Sequence, residues 1–177
     1  YIVKEILKRT LVRMLICCVI ALLFCITGNA KVPYIPKIIN YSVSDYKAGN
    51  QNWAVSQGPG GKMYIGNNRG LLVFDGIHWD LVKLPNNLGV RALYISKDGR
   101  IYVGSFEEFG YFEMDDENDL IYHSLSSSEM NVYLNNDEFW TINEYKGEIY
   151  FQSFRSFFIY DGEKVRKGVS DLSPLYI

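Results

Sequence analysis

The amino-acid sequence predicts an all-β protein, and three observations lead to this prediction. Aromatic residues make up 15% of the 177 residues, with 14 Tyr and 10 Phe, and such residues fit the half-buried surface of a β-strand. Short apolar runs alternate with glycine, asparagine and aspartate, which favour tight turns between strands. One short stretch of sequence also recurs three times, which indicates a fold built from repeated units.

The recurring stretch consists of a glycine, a charged residue, an aliphatic residue, a tyrosine and a further apolar residue. It occupies residues 61–65, 99–103 and 147–151. An apolar segment precedes each copy, and a second apolar segment follows it. An Asp-Gly pair, which is a strong hairpin signal, ends the first copy at residues 75–76 and the third at 161–162. Each copy therefore supplies about four short strands.

Four antiparallel strands that repeat with this spacing are typical of β-propeller blades, because a blade buries both of its faces only against neighbouring blades. The sequence predicts three blades, at about residues 51–85, 89–126 and 138–168. Propellers close with about 4 to 8 blades. We therefore expect residues 51–177 to be a partial β-propeller, truncated at its C-terminus, from a larger propeller.

The N-terminal residues differ from the rest of the chain. Four basic residues precede an uncharged apolar run at residues 14–26, and the small residues after it resemble a cleavage site. This pattern predicts a helical secretory signal peptide at residues 1–30, cut after Ala30. A retained signal anchor is the alternative, although the apolar run is shorter than the roughly 20 residues of a spanning helix. Residues 31–50 follow as a lead-in segment, in which 38–41 is a candidate latch strand.

The leader contains every cysteine of the chain, at positions 17, 18 and 25. The exported part is therefore expected to hold neither a disulfide nor a thiolate metal site. Removing the leader changes the count of 18 basic and 20 acidic residues to 14 and 19, a net charge of −5. Because an acidic domain repels the phosphates of nucleic acid, we expect no direct contact between this part of the chain and DNA or RNA.

Motifs for catalysis or metal binding are weak. Glu107 and Glu108 are adjacent, so on a strand they face opposite sides and do not form a carboxylate pair acting on one bond. The acidic run at residues 115–119 lacks the spacing of an EF-hand loop and is predicted to be a solvated turn. His78 and His123 have no nucleophile at a recognisable spacing. We therefore expect no catalytic residues, no metal site, no cofactor and no enzyme activity in this segment.

A ligand site is predicted where loops gather at one end of the propeller. The loops that enter the first strand of each blade and leave the second share one face, which we call the rim. The candidate rim residues are Asn52, Trp53, Asn67, Asn68 and Arg69 from blade one, Arg91, Glu107 and Glu108 from blade two, and Trp140 and Arg155 from blade three. Amides, charged groups and aromatic rings suit a hydroxyl-rich ligand such as a sugar. For the two tryptophans, packing between blades is the alternative role.

The chain resembles a known group of proteins. Residues 40–85 and 90–113 look like the start of the sensor region in two-component-regulator propeller proteins. The resemblance extends over about residues 40–162 and is most specific at residues 50–79. Blade three is the weakest match, because Gln152 stands where the other two copies have glycine.

The resemblance implies both an architecture and a function. In these membrane-spanning bacterial regulators, a periplasmic propeller precedes a three-tyrosine (Y_Y_Y) domain, a transmembrane helix, and either a LuxR-like helix-turn-helix or a histidine kinase with a response regulator. The resemblance implies that this segment senses a carbohydrate or glycan fragment in the periplasm. The parent protein would be anchored in the inner membrane, with its dimerisation left open. The alternatives are a secreted, non-signalling propeller that binds protein or polysaccharide, and a propeller lyase or glycosidase.

Overall fold

A computed structural model of the protein describes residues 2–26 and 36–169. The chain divides into two compact units, residues 1–39 and 40–177. In the first unit, helix α1 spans Ile2–Ile26, where leucine, alanine, lysine and arginine favour helix. No helix within the described ranges is both long enough and apolar enough to cross a membrane. The predicted cleavage site after Ala30 lies outside the described residues.

The second unit contains three four-stranded antiparallel sheets, each with its strands in sequence order. We call the sheets blade one (β1–β4), blade two (β5–β8) and blade three (β9–β12). The strands are β1 (Asn52–Gln57), β2 (Met63–Asn67), β3 (Gly70–Phe74), β4 (Trp79–Val82), β5 (Ala92–Ile95), β6 (Ile101–Gly104), β7 (Phe109–Met114), β8 (Leu120–Ser124), β9 (Phe139–Tyr145), β10 (Glu148–Ser153), β11 (Phe157–Tyr160) and β12 (Val165–Lys167). The predicted all-β class with three four-stranded blades is confirmed.

Short helices lie between these strands. Helix α2 (Val43–Tyr46) precedes blade one, and helix α3 (Asn131–Leu134) lies in the long connection from β8 to β9. Single turns of 3-10 helix occur at Pro59–Gly61, Pro85–Asn87 and Ser128–Met130. Leu134 is 2% exposed and packs into the core between blades two and three, so α3 fixes this connection against the sheets.

The two innermost strands pair in the same register in all three blades. The paired residues are Ala54 and Gly66 in blade one, Ala92 and Gly104 in blade two, and Thr141 and Gln152 in blade three. The residue just before the first member of each pair therefore occupies an equivalent position in every blade. These equivalent residues are Trp53, Arg91 and Trp140.

Apolar side chains fill the space between neighbouring blades. Leu71 of blade one packs with Ile101 and Val103 of blade two, and each is at most 1% exposed. A separate aromatic cluster joins blades two and three around Phe109, which is fully buried. This burial of sheet faces against one another is the main favourable contribution to folding.

Backbone hydrogen bonds also join each blade to the next. The Val90 N–H donates to the Asn67 carbonyl at 2.9 Å, and the Phe139 N–H donates to the Ser105 carbonyl at 3.0 Å. Asn67 ends the second strand of blade one, and Ser105 directly follows the second strand of blade two. The chain that enters each following blade is thus held against the end of the preceding second strand.

The two Asp-Gly turns form hairpins of the same kind. Asp75 Oδ1 accepts from the N–H groups of Ile77 and His78, both at 2.7 Å. Asp161 Oδ1 accepts from the N–H groups two and three residues further on in the same way. The His78 N–H, followed by that of Ile77, lowers the pKa of the Asp75 carboxyl to about 2, because each hydrogen bond favours the ionised form.

The lead-in segment lies against blade one, and a latch strand at residues 38–41 stays a prediction. Residues 36–42 are irregular rather than extended in a sheet, and α2 follows them. The Tyr41 ring lies 5.1 Å from that of Phe74 and 5.3 Å from that of Trp79, while Tyr46 packs on Leu72. A strand needs the backbone edge of another strand, and residues 41–46 instead contact blade one through their side chains.

Candidate functional site

The three equivalent residues at the start of the innermost strands lie next to one another. The ring centroids of Trp53 and Trp140 are 5.6 Å apart, with an angle of 74° between the ring planes. The Arg91 guanidinium carbon lies 4.6 Å from the centroid of the Trp53 ring, a distance typical of a cation–π contact. Three of the predicted rim residues, one from each blade, are therefore in one cluster.

Asn68 connects this cluster by hydrogen bonds. Its Oδ1 accepts from Trp53 Nε1 at 2.7 Å and from Arg91 Nη1 at 2.5 Å. Its Nδ2 donates to Gln51 Oε1 at 2.6 Å. The amide of one loop residue thus fixes the orientation of both the indole and the guanidinium group.

Glu138 completes the polar part of the cluster. Arg91 Nε lies 3.1 Å from Glu138 Oε1, and the two side chains are 22% and 26% exposed. Sequence reasoning missed Glu138, although a signal was present. Glu138 stands two residues before Trp140, as Gln51 stands two residues before Trp53, so both belong to the same repeat position.

Aromatic rings form part of the exposed surface of the rim. The Phe154 ring packs on Trp140 with a centroid distance of 5.6 Å. Trp53 is 42% exposed, Phe154 53% and Phe106 39%. Phe106 and Phe154 stand two residues after Gly104 and Gln152, at the position that Asn68 has after Gly66. The rim therefore presents apolar ring surface beside hydrogen-bonding groups.

Asn67 has a different role from the one predicted for a rim residue. It is fully buried. Its Nδ2 donates to the Gly49 carbonyl at 2.7 Å and to Asn52 Oδ1 at 2.7 Å, and its Oδ1 accepts from the N–H groups of Gly49 and Arg69, each at 2.9 Å. The side chain holds the loop before β1 and has no polar atom left for a ligand. Asn52 is exposed, and its Oδ1 is the acceptor in this same contact.

The equivalents of Asn67 in the other blades act in the same way. Ser105 Oγ donates to the Gly89 carbonyl at 2.5 Å. Ser153 Oγ donates to the Asp137 carboxylate and accepts from the Ser156 N–H at 2.9 Å. A buried polar side chain at the end of each second strand, or directly after it, therefore fixes the approach to the innermost strand. This is how the fold brings Trp53, Arg91 and Trp140 to one place.

The two adjacent glutamates contact different parts of the protein. Glu108 accepts hydrogen bonds from Tyr122 Oη at 2.9 Å, Ser124 Oγ at 2.8 Å and Ser126 Oγ at 2.7 Å. Burial, followed by the Glu108 charge, raises the pKa of the Tyr122 hydroxyl. Glu107 has a positive φ of 56° and accepts from the Asn136 N–H at 2.5 Å. Glu107 therefore stabilises the connection into blade three, and Glu108 stabilises strand β8 and the start of that connection.

The remaining two predicted residues, Arg69 and Arg155, are exposed. Arg69 follows Asn68, and Arg155 follows Phe154, so both belong to the rim loops. In residues 36–169, neither guanidinium group takes part in an ion pair. Their side chains make no hydrogen bond to the cluster within that range, so they extend the rim beyond it.

A second concave region lies between the hairpin turns of blades one and two, at the end opposite the rim. The cleft has a volume of about 660 Å³ and is lined in part by Lys62, Tyr64 and Arg100. Arg100 Nε lies 3.2 Å from Glu113, whose other oxygen lies 3.0 Å from His123 Nε2. The charges of this cleft are thus largely paired within the protein. No three His, Cys, Asp or Glu side chains in the described ranges are placed to hold a metal ion.

Comparison with known proteins finds solved structures with a similar fold. Neither a family model nor a curated protein matches the sequence. Among solved structures, the extracellular domain of the one component system BT4673 from B. thetaiotaomicron aligns with a TM-score of 0.61 and 12% identity, over 76% of this chain and 19% of that one. The extracellular domain of the hybrid two component system BT3049 from B. thetaiotaomicron aligns with a TM-score of 0.54 and 19% identity, over 77% and 18%.

An enzyme shares the same fold. A catalytically inactive variant of virginiamycin B lyase from Staphylococcus aureus with quinupristin aligns with a TM-score of 0.57 and 16% identity, over 79% of this chain and 47% of that one. The chain spans less than a fifth of the length of the two extracellular domains and about half that of the lyase. The resemblance drawn from the sequence is confirmed at the level of the fold.

Proposed function

We propose that the chain is the ligand-sensing part of an exported regulator and that its rim binds a carbohydrate. The observation that carries this proposal is the cluster of Trp53, Arg91 and Trp140, which brings one residue from each blade to the same end. The fold shared with extracellular domains of one-component and two-component systems supports the sensing role. The basic and apolar character of residues 2–26 supports export.

The chemistry of the rim is suited to a sugar. Sugars have C–H faces that pack on aromatic rings and hydroxyl groups that need donors and acceptors. Trp53 and Phe154 offer partly exposed rings. Arg91 and Glu138 stand beside them as a donor and an acceptor in an ion pair that is only a quarter exposed. We propose periplasmic sensing, with the parent protein anchored in the inner membrane and with no direct nucleic-acid contact by this segment.

Binding rather than turnover is the proposed activity of this segment. The lyase with a similar fold makes an enzyme the alternative to a binding protein. However, Glu107 and Glu108 accept hydrogen bonds from neighbouring protein groups, and Glu138 pairs with Arg91. Carboxylates held in this way are better suited to structure than to acid–base chemistry. Signalling additionally requires that the ligand favour one conformation of the parent protein over another.

The complete protein should bind at least one member of a panel of xylo-, manno-, galacto- and galacturono-oligosaccharides. Trp53→Ala should weaken that binding at least about tenfold, which corresponds to about 1.4 kcal/mol, because it removes both the ring surface and the hydrogen bond to Asn68. Isothermal titration calorimetry measures the affinity. A ligand that binds only the folded protein also raises its melting temperature.

Tyr145→Ala is the matched control, since Tyr145 is 60% exposed but lies at the β9–β10 turn, away from the rim. It should leave the affinity unchanged. The proposal fails if no oligosaccharide binds, or if the two variants weaken binding equally. Release of cleaved sugar during the titration would favour the glycosidase or lyase alternative. In the parent sequence, a stop codon soon after the propeller would favour the secreted, non-signalling alternative.

A further inference from the structure

One indole of the rim has a buried polar atom without a partner. Trp140 Nε1 is buried and makes no hydrogen bond within the described part of the chain. Its equivalent in blade one, Trp53, donates Nε1–H to Asn68 at 2.7 Å. Blade three has Phe154 at the position of Asn68. The side chain that would serve as the acceptor is therefore replaced by an apolar ring.

A buried N–H group without an acceptor is unfavourable, because it gives up its hydrogen bonds to water and gains none in return. Such groups are rare in folded proteins and call for an explanation. The rings packed on Trp140 are Trp53 and Phe154, which are 42% and 53% exposed. Phe154 lies on the loop between β10 and β11. The partly exposed rings of Trp53 and Phe154 therefore lie directly beside the Trp140 indole.

We infer that Trp140 is a specificity-determining residue of the rim, whose indole N–H donates to an oxygen atom of the bound glycan. This inference rests on the proposed carbohydrate binding. The sugar oxygen would take the place that Asn68 Oδ1 has beside Trp53. Because Trp140 has no acceptor before the ligand arrives, this hydrogen bond is gained only in the bound state. It therefore favours the bound conformation over the free one.

Trp79 provides a matched control within the same chain. Its Nε1 is likewise buried without a partner among residues 36–169. Trp79 begins β4, the outermost strand of blade one, and stacks on Phe74 with a centroid distance of 4.3 Å. Replacing either tryptophan by phenylalanine removes an unpartnered N–H and part of a ring. Only the replacement at Trp140 should change ligand binding.

The test is a calorimetric titration of the complete protein with the oligosaccharide from the panel that binds it. Trp140→Phe should weaken binding about tenfold, and Trp79→Phe should not change it. A further variant carries β-(3-benzothienyl)alanine at position 140. Its ring has the size of indole but has sulfur in place of N–H, so packing is retained. It should show the same loss of affinity as Trp140→Phe.

The outcomes distinguish a failure of this inference from a failure of the proposed carbohydrate binding. If the unsubstituted protein binds no oligosaccharide of the panel, the proposed function fails and the inference fails with it. If the unsubstituted protein binds and the benzothienyl variant binds equally well, the inference is overturned while the proposed function stands. The same holds if the benzothienyl variant melts well below the unsubstituted protein without ligand, since the N–H would then already have a partner.

Discussion

Replacing Phe109 by alanine is expected to lower the free energy of unfolding by about 3 to 5 kcal/mol, as for other fully buried phenylalanines. Phe109 is fully buried between blades two and three. Its ring centroid lies 4.7 Å from those of Phe139 and Phe151 and 5.2 Å from that of Phe158. The substitution removes these contacts and leaves a cavity whose aromatic walls cannot easily collapse.

Urea unfolding of the complete protein, followed by tryptophan fluorescence, measures this loss. Ile121→Ala is the control, because Ile121 is 44% exposed on the outer strand β8 and exposed positions change stability by about 0.5 kcal/mol or less. A loss for Phe109→Ala as small as that of the control would contradict the packing of blade two on blade three.

Gly104→Val should destabilise the protein by about 3 kcal/mol, at the upper end of what overpacking usually costs. A Cβ atom at Gly104 would lie 2.6 Å from Phe139 Cβ and 3.2 Å from the Phe139 carbonyl oxygen. Phe139 begins β9 and donates its N–H to the Ser105 carbonyl. A side chain at Gly104 therefore pushes the first strand of blade three away from the second strand of blade two.

Gln152→Val supplies the matched control, because Gln152 occupies the equivalent position in blade three and already carries a side chain. It should change the midpoint of thermal unfolding much less than Gly104→Val. Equal shifts of the unfolding midpoint in the two variants would mean that Gly104 is not needed for the close packing of blade two on blade three.

The repeat made much of the fold predictable from the sequence. The tyrosines of the recurring stretch lie on β2, β6 and β10, where Tyr64 and Tyr102 are buried between blades. The Asp-Gly pairs form the predicted turns, because their hydrogen bonds involve only residues two and three positions away. Helix α3 was not predictable in this way. The burial of its residue Leu134 holds it in place. It lies in the connection between blades two and three, which is longer than the connection between blades one and two.

The rim was predictable in its position but not in every residue. Equivalent positions in the repeat identify Trp53, Arg91 and Trp140, and the three meet. Asn67 and Glu108 looked equally suitable as loop residues, yet both are turned into the protein. Their partners come from outside the recurring stretch, so the sequence pattern contains no information about which way these side chains point.

The most direct test of the account is hydroxyl-radical footprinting of the complete protein with and without a saturating oligosaccharide, read by mass spectrometry. The central claim is that equivalent positions of three blades converge to form one binding surface. It predicts that the ligand protects Trp53 and Phe154 from oxidation and leaves Tyr145 and Met114 unchanged. Protection confined to the cleft around Tyr64, with Trp53 and Phe154 as reactive as before, would contradict it.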